Sequence, residues 1–265
     1  MISIKAAFNN AHQNGRIALI GYLPVGFPDR QRFLEAAQAA FEAGLDILEI
    51  GMPTREASFD GQVIRTALEE AYRIGITVDE ALELGAQVTN STGGSGLAMF
   101  YKDALCGMSE DEFLDHCAEL KISGILPVDI VGQNWLSLAK KAIHKNVSPV
   151  GFVTANMESL EMDSILKNSG GFVYLQSYNG PTGEPATLGL EVQQRISSVR
   201  DQMNGTPLPI AVGFGIRNGA DVARVAELGA DGAIVGTALV EAAVKGPQAT
   251  TALIQEMVEG AFRKE

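Results

Sequence analysis

Cysteine is scarce in this sequence: Cys106 and Cys117 are the only two in 265 residues. Two thiols, one in an expected loop and one in a helical pattern, build neither a disulfide framework nor a metal cluster. They read as free thiols of a reducing compartment. Histidine is nearly as rare, and His12, His116 and His144 fall in helical or helix-end segments without metal-ligand spacing. No apolar run reaches the ~18 residues of a spanning helix, and the opening MISIKAAFNNAHQNGR has no signal-peptide apolar core. A cytoplasmic location and no membrane partner are expected. Cationic charge is also in deficit, with 20 Lys+Arg against 32 Asp+Glu and a net charge of −12. That balance argues against a nucleic-acid or anionic-membrane surface. It leaves an anionic substrate open, because a few backbone amides bind an anion locally whatever the net charge. No Ser-His-Asp or Cys-His arrangement can be traced, and no strand candidate carries a lysine for a Schiff base.

Glycine, by contrast, is plentiful: 29 residues, above the usual ~7%. Short β-branched or apolar runs alternate with segments of helical period from end to end. The strand candidates are Ile17–Tyr22, Ile47–Gly51, Gly96–Tyr101, Gly124–Pro127, Val147–Val153, Phe172–Ser177, Pro209–Gly213 and Gly232–Val235. Between them apolar residues recur at three and four, as in Phe33, Ala36, Ala37, Ala40 and Phe41. Glycines at "EAGLD", "RIGIT" and "LGADG" suit helix ends feeding the next strand. Eight strand–helix units, with strands that lack polar alternation, predict a (β/α)8 TIM barrel with an extra N-terminal helix over Ile4–Gln13. Residues 1–265 read as one domain. A doubly wound sheet is the alternative, but the first turn, "GYLPVGFPD", is not the glycine fingerprint such sheets usually carry.

Barrel enzymes place their sites at the C-terminal ends of the strands. The second strand reads Ile47-Leu48-Glu49-Ile50-Gly51, an acid in an apolar run. Alternation puts Glu49 on one face with Ile47 and Gly51. An unpaired charge facing the helices is costly, so Glu49 is expected to point into the barrel, where burial raises its pKa and suits acid–base work. The structural alternative is a Glu paired with a buried Lys or Arg. Asp60 precedes the next helix and, on position alone, reads first as a helix cap. The loops "SYNGPTGEP", "VGFGIRNGAD" and "IVGTALV" end the last three strands, and together they suit a phosphate held by backbone amides, with Thr237 as a hydroxyl donor. Asp129, beyond the fourth strand, reads as a catalytic carboxylate or the start of a helix, the latter favoured, and Trp135 reads as a packed side chain.

The runs "DILEIGMP", "DGQVI", "GFVYLQS…GPTG", "PIAVGFGI" and "GAIVGTALV", in this order and spacing, resemble the tryptophan synthase α chain family. The resemblance spans from "YLPVGFPD" to about Val240 and itself implies a (β/α)8 barrel. It also implies cleavage of indole-3-glycerol phosphate to indole and glyceraldehyde 3-phosphate, a retro-aldol reaction needing no cofactor, neither metal nor Schiff base. Glu49 matches the family's acid–base glutamate, and Asp60 the aspartate that binds the indole N–H. Thr182 and Gly183 match a mobile loop. Gly183, Gly215, Gly236 and Thr237 match the phosphate positions, and Tyr22, Tyr174 and Phe214 the indole pocket.

The sequence departs from the family pattern in the loops that meet a pyridoxal-phosphate β subunit. The family's Asp-Pro between Glu49 and Asp60 is replaced by Glu56-Ala57. Its Asn-Pro after the third strand is replaced by Asp103-Ala104. "PVDIVGQ" and "FVTANMESLEM" depart as well. Four readings follow: a lyase that supplies free indole alone, an α subunit matched to a co-diverged β chain, a non-catalytic regulatory paralogue, and a barrel lyase or isomerase acting on another phosphorylated substrate. Retention of both carboxylates argues against the third.

Overall fold

The computed structural model of the protein describes residues 2–105, 107–154, 156–177, 189–203, 207–213 and 215–263. Its strands are β1 (Ala18–Pro24), β2 (Ile47–Gly51), β3 (Ser95–Phe100), β4 (Gly124–Pro127), β5 (Ser148–Pro149), β6 (Gly151–Val153), β7 (Val173–Gln176), β8 (Ile210–Gly213) and β9 (Gly232–Val235). They form one parallel sheet in the order β5-β4-β3-β2-β1-β9-β8-β7-β6. Because β5 and β6 flank the single residue Val150, the sheet curls into the expected (β/α)8 barrel with its fifth strand in two pieces. The sequence reading of an unbroken Val147–Val153 strand is corrected here: Pro149 lacks the N–H that a continuous ladder needs.

Around the barrel lie α2 (Arg30–Glu42), α3 (Gln62–Arg73), α4 (Val78–Thr92), α5 (Glu110–Glu119), α6 (Gly132–His144), α7 (Ser159–Asn168), α8 (Leu190–Gln202), α9 (Gly219–Glu227), α10 (Thr237–Lys245) and α11 (Pro247–Ala261). Helix α10 is an addition to the eight strand–helix units and the N-terminal helix expected from the sequence, so that two helices, α10 and α11, follow the last strand. Gly236 breaks the strand, and Thr237–Val240 turn into a helix instead.

Strand alternation divides the apolar residues into two bodies. Leu48, Ile50, Ala98, Phe100, Val212 and Val235 pack outward with the helices. Ile20, Tyr22, Ile47, Leu97, Met99 and Ile234 fill the barrel interior. The expected extra helix, α1 (Ile4–Gln13), belongs to the interior body and closes the barrel floor with Ile4, Ala7, Phe8 and Ala11. Phe8 meets Phe172 with ring centroids 5.4 Å apart. Gly124 makes room for Ile4: a Cβ there would stand 2.6 Å from Ile4 Cδ1. At the same end Ile17 N–H donates to the Ala261 carbonyl (3.0 Å), tying the first strand to the last helix.

Trp135 is buried, as read from the sequence. Cys117 is a buried free thiol, and Cys106 lies outside the described residues. Among the described residues no helix is long and apolar enough to cross a membrane. Truncating the floor tests its weight: Phe8→Ala is expected to lower unfolding free energy by about 3 kcal/mol, read as a lower denaturant midpoint at unchanged slope.

Candidate active site

The C-terminal ends of the strands surround a cavity of about 670 Å³, part of it open to solvent. Its walls combine Tyr22 from β1, Glu49 from β2, Met99 from β3, Leu126 from β4, Phe152 from β6, Tyr174 from β7 and Ile234 from β9. Phe59, Asp60, Gly215, Arg217, Gly236 and Thr237 contribute from the loops and from the first turn of α10. Seven residues singled out from the sequence, Tyr22, Glu49, Asp60, Tyr174, Gly215, Gly236 and Thr237, therefore share one cavity. Thr182, Gly183 and Phe214 lie outside the described residues.

Glu49 points inward, 3% exposed. It stands opposite Tyr22 in the β1–β2 register. No Lys or Arg pairs with it among the described residues, so the structural alternative of a buried ion pair does not apply. Burial is the main reason its carboxyl is raised from 4.5 to about 8, and the negative charge of Asp60 adds to the shift. At neutral pH Glu49 is a protonated acid able to give up its proton within the physiological range.

Asp60 is not the helix cap that its position suggested. The N-cap of α3 is Gly61, with no side-chain bond. The Asp60 carboxylate accepts a hydrogen bond from the Tyr101 hydroxyl at 2.7 Å, and its carbonyl accepts one from Arg65 at 2.9 Å. The same Tyr101 hydroxyl accepts from Phe59 N–H at 3.2 Å, while the two rings stack 6.4 Å apart. Tyr101 is thus a site residue that sequence reasoning missed. Its signal was present: alternation from Leu97 and Met99 carries the inward face to Tyr101. Asp129 neither starts a helix nor enters the cavity; it accepts from Lys102 N–H at 2.8 Å and joins two neighbouring loops.

Two tyrosines depend on glycines across the sheet. A Cβ on Gly51 would lie 2.5 Å from the Tyr22 hydroxyl, and one on Gly213 would lie 2.2 Å from the Tyr174 hydroxyl. Each ring leans over the neighbouring strand two residues beyond its register partner. Tyr174 also meets Phe152 edge-on at 5.1 Å. With Met99, Leu126 and Val128 they line an apolar slot for a flat ring.

The opposite side suits an anion. Helix α10 starts at Gly236 without a side-chain cap, so its first N–H groups and partial positive charge face the cavity. Thr237 adds a hydroxyl. Arg217, also missed in the sequence, lines the same wall 3.6 Å from Glu241; a cation directly after "VGFGI" was its signal. Among the described residues no group of three metal-ligating side chains occurs.

The family model described as Tryptophan synthase alpha chain matches residues 8–263. The chain belongs to the tryptophan synthase alpha chain family. It is 32% identical to the alpha chain of Nocardia farcinica over 256 residues, covering 96% of this chain and 93% of the relative. It is 33% identical to that of Chloroflexus aggregans, covering 99% of each. A solved Mycobacterium tuberculosis tryptophan synthase superposes with a TM-score of 0.87 at 30% identity, over the full length of both chains. Family membership therefore extends across the barrel floor and the cavity alike.

The Glu49 shift sets a pH dependence of stability. Below about pH 4.5 the carboxyl is protonated both folded and unfolded. As pH rises toward about 8, only the unfolded chain releases this proton, so folding weakens, and above that the penalty is constant. Glu49→Gln is expected to melt several degrees above the wild type at pH 8 and at nearly the same temperature at pH 4.5, as measured by thermal unfolding at both values.

Proposed function

We propose that the protein cleaves indole-3-glycerol phosphate to indole and glyceraldehyde 3-phosphate, and that it does so without a β subunit. The slot takes the indole ring, with Asp60 accepting its N–H and stabilising the positive charge of the protonated ring. Neutral Glu49 gives its proton to indole C3. The bond from C3 to the side chain then breaks, its electron pair returning to the ring, while the side-chain hydroxyl loses its proton to the Glu49 carboxylate and becomes the aldehyde. Gly215, Gly236, Thr237 and Arg217 take the phosphate. Thr182, Gly183 and Phe214 keep the roles that family resemblance assigns, closing the site, holding phosphate and lining the ring pocket.

The stand-alone reading rests on one observation: the loop carrying Asp60 is held by its own chain. Asp103, where the family has Asn, accepts from the Thr54 hydroxyl and, at 3.1 Å, from Arg55 N–H. Arg55 also donates to the Tyr72 hydroxyl at 2.6 Å and lies over that ring. Ala57, where the family has Pro, is buried in the interior body. A loop ordered this way populates its competent state without a partner's help. A second reading, an alpha subunit with a dedicated β chain, is favoured by Val131, Leu160 and Leu190. These large apolar side chains are 65%, 86% and 70% exposed at helix starts on the cavity side of the barrel.

The purified chain is expected to release indole from indole-3-glycerol phosphate by itself. A stable complex with a tryptophan synthase β subunit that raises this rate more than about tenfold, ~1.4 kcal/mol of coupling, would overturn the stand-alone reading. Glu49→Gln is expected to cut turnover by ~10²–10⁴; retention of more than about a tenth would remove Glu49 from the mechanism. Asp103→Ala is expected to lower turnover of the isolated chain by about tenfold, the scale of losing one or two charge-assisted hydrogen bonds.

A further inference from the structure

The Tyr22 hydroxyl is a buried polar group with no hydrogen-bond partner among the described residues. The residue is 3% exposed. Its Oη makes no hydrogen bond among the described residues, although the side chain lines the cavity. The two other tyrosines around the cavity have polar or ring partners: Tyr101 bonds Asp60, and Tyr174 meets Phe152. An orphaned buried hydroxyl costs free energy, and a phenylalanine would fill the same slot without that cost. The Tyr22 hydroxyl is also kept firmly un-ionised, first by burial and then by the charges of Asp60 and Glu49. It is a neutral donor waiting beside two carboxyls.

The sheet order says which substrate atom passes there. Strand β1 is the one strand between β2, which carries Glu49, and β9, which runs into Gly236 and Thr237. On the lyase reading, on which this inference rests, the ring carbon meets Glu49 and the phosphate meets Gly236. The hydroxylated chain that joins them must therefore cross Tyr22. The ring leans toward Gly51 on β2, away from β9, so its hydroxyl sits at the Glu49 end of that crossing. We propose that Tyr22 donates a hydrogen bond to the substrate hydroxyl on the carbon attached to the indole ring. That oxygen becomes the aldehyde oxygen of the product. Its proton leaves to the Glu49 carboxylate as the carbon–carbon bond breaks; Tyr22 keeps its own proton and steadies the oxygen while the C=O forms.

The test is Tyr22→Phe in the full chain, with three readouts. Turnover of indole-3-glycerol phosphate should fall about tenfold or more with KM changed less, the scale of one lost hydrogen bond in the transition state. Affinity for 3-(indol-3-yl)propyl phosphate, which lacks the chain hydroxyls, should stay within about twofold of the wild type. The ligand-free variant should melt about 2 °C higher, because an unpaired buried hydroxyl is gone. A kcat/KM within twofold of wild type overturns the proposal, as does an equal loss of affinity for the hydroxyl-free analogue or a lower melting temperature. These failures are distinct from failure of the lyase reading, in which the wild type itself releases no indole and the proposal falls with it.

Discussion

Glu49 keeps a carboxyl inside an apolar barrel with, among the described residues, no cation paired to it, and the rest of the site is arranged around that condition. The β1–β2 register puts the residue inside; one residue earlier or later, the same acid would press against the helices with no cavity to receive it. Once inside, it stays un-ionised at neutral pH by shedding its charge, so the interior needs no counter-ion and stays apolar. The second carboxyl, Asp60, enters from a loop and accepts a hydrogen bond from the Tyr101 hydroxyl. Two acids of one chemistry are thereby given different surroundings, an apolar strand wall for Glu49 and a hydroxyl donor for Asp60.

The barrel and Glu49 were readable from the chain because alternation has a period of two and one charged residue interrupts it. Asp60 was not, because an aspartate before a helix has a common local use; only the distant Tyr101, 41 positions on, turns it inward. Asp129 misled in the same way, since its partner is the backbone of a neighbouring loop. The break at Pro149 lies below what periodicity resolves, and the nine-residue helix α10 escaped because Thr237–Val240 continue the buried apolar run of β9 with no polar face to mark a helix. The grouping of Gly215, Gly236 and Thr237 was legible because three glycine loops follow successive strands. Arg217 escaped because an exposed arginine in a loop has no periodic signature.

The loops of this family member have exchanged their local vocabulary without losing the geometry below them. Asp103 binds the backbone and hydroxyl of the preceding loop, Asp129 binds the backbone of the one before it, and Arg65 holds the carbonyls of Ala57 and Asp60. The loops after β2, β3 and β4 are laced side to side by two carboxylates, and the Arg65 guanidinium pins the first of these loops to its own helix. This part of the rim resists opening at any one point, since each of the three loops can move only by breaking a contact to its neighbour.

At the other end of the barrel, Ile17 is tied to Ala261, and α1 seals a floor that needs Gly124, Phe172 and Gly232 already in place. Synthesis runs from α1 forward, yet α1 has nowhere to bury Ile4 and Phe8 until β9 exists, more than two hundred residues later. Helix α1 is therefore made well before β9 and finds its site only after it. During that interval its apolar face is uncovered, and the nascent chain carries an adhesive segment until β9 is made.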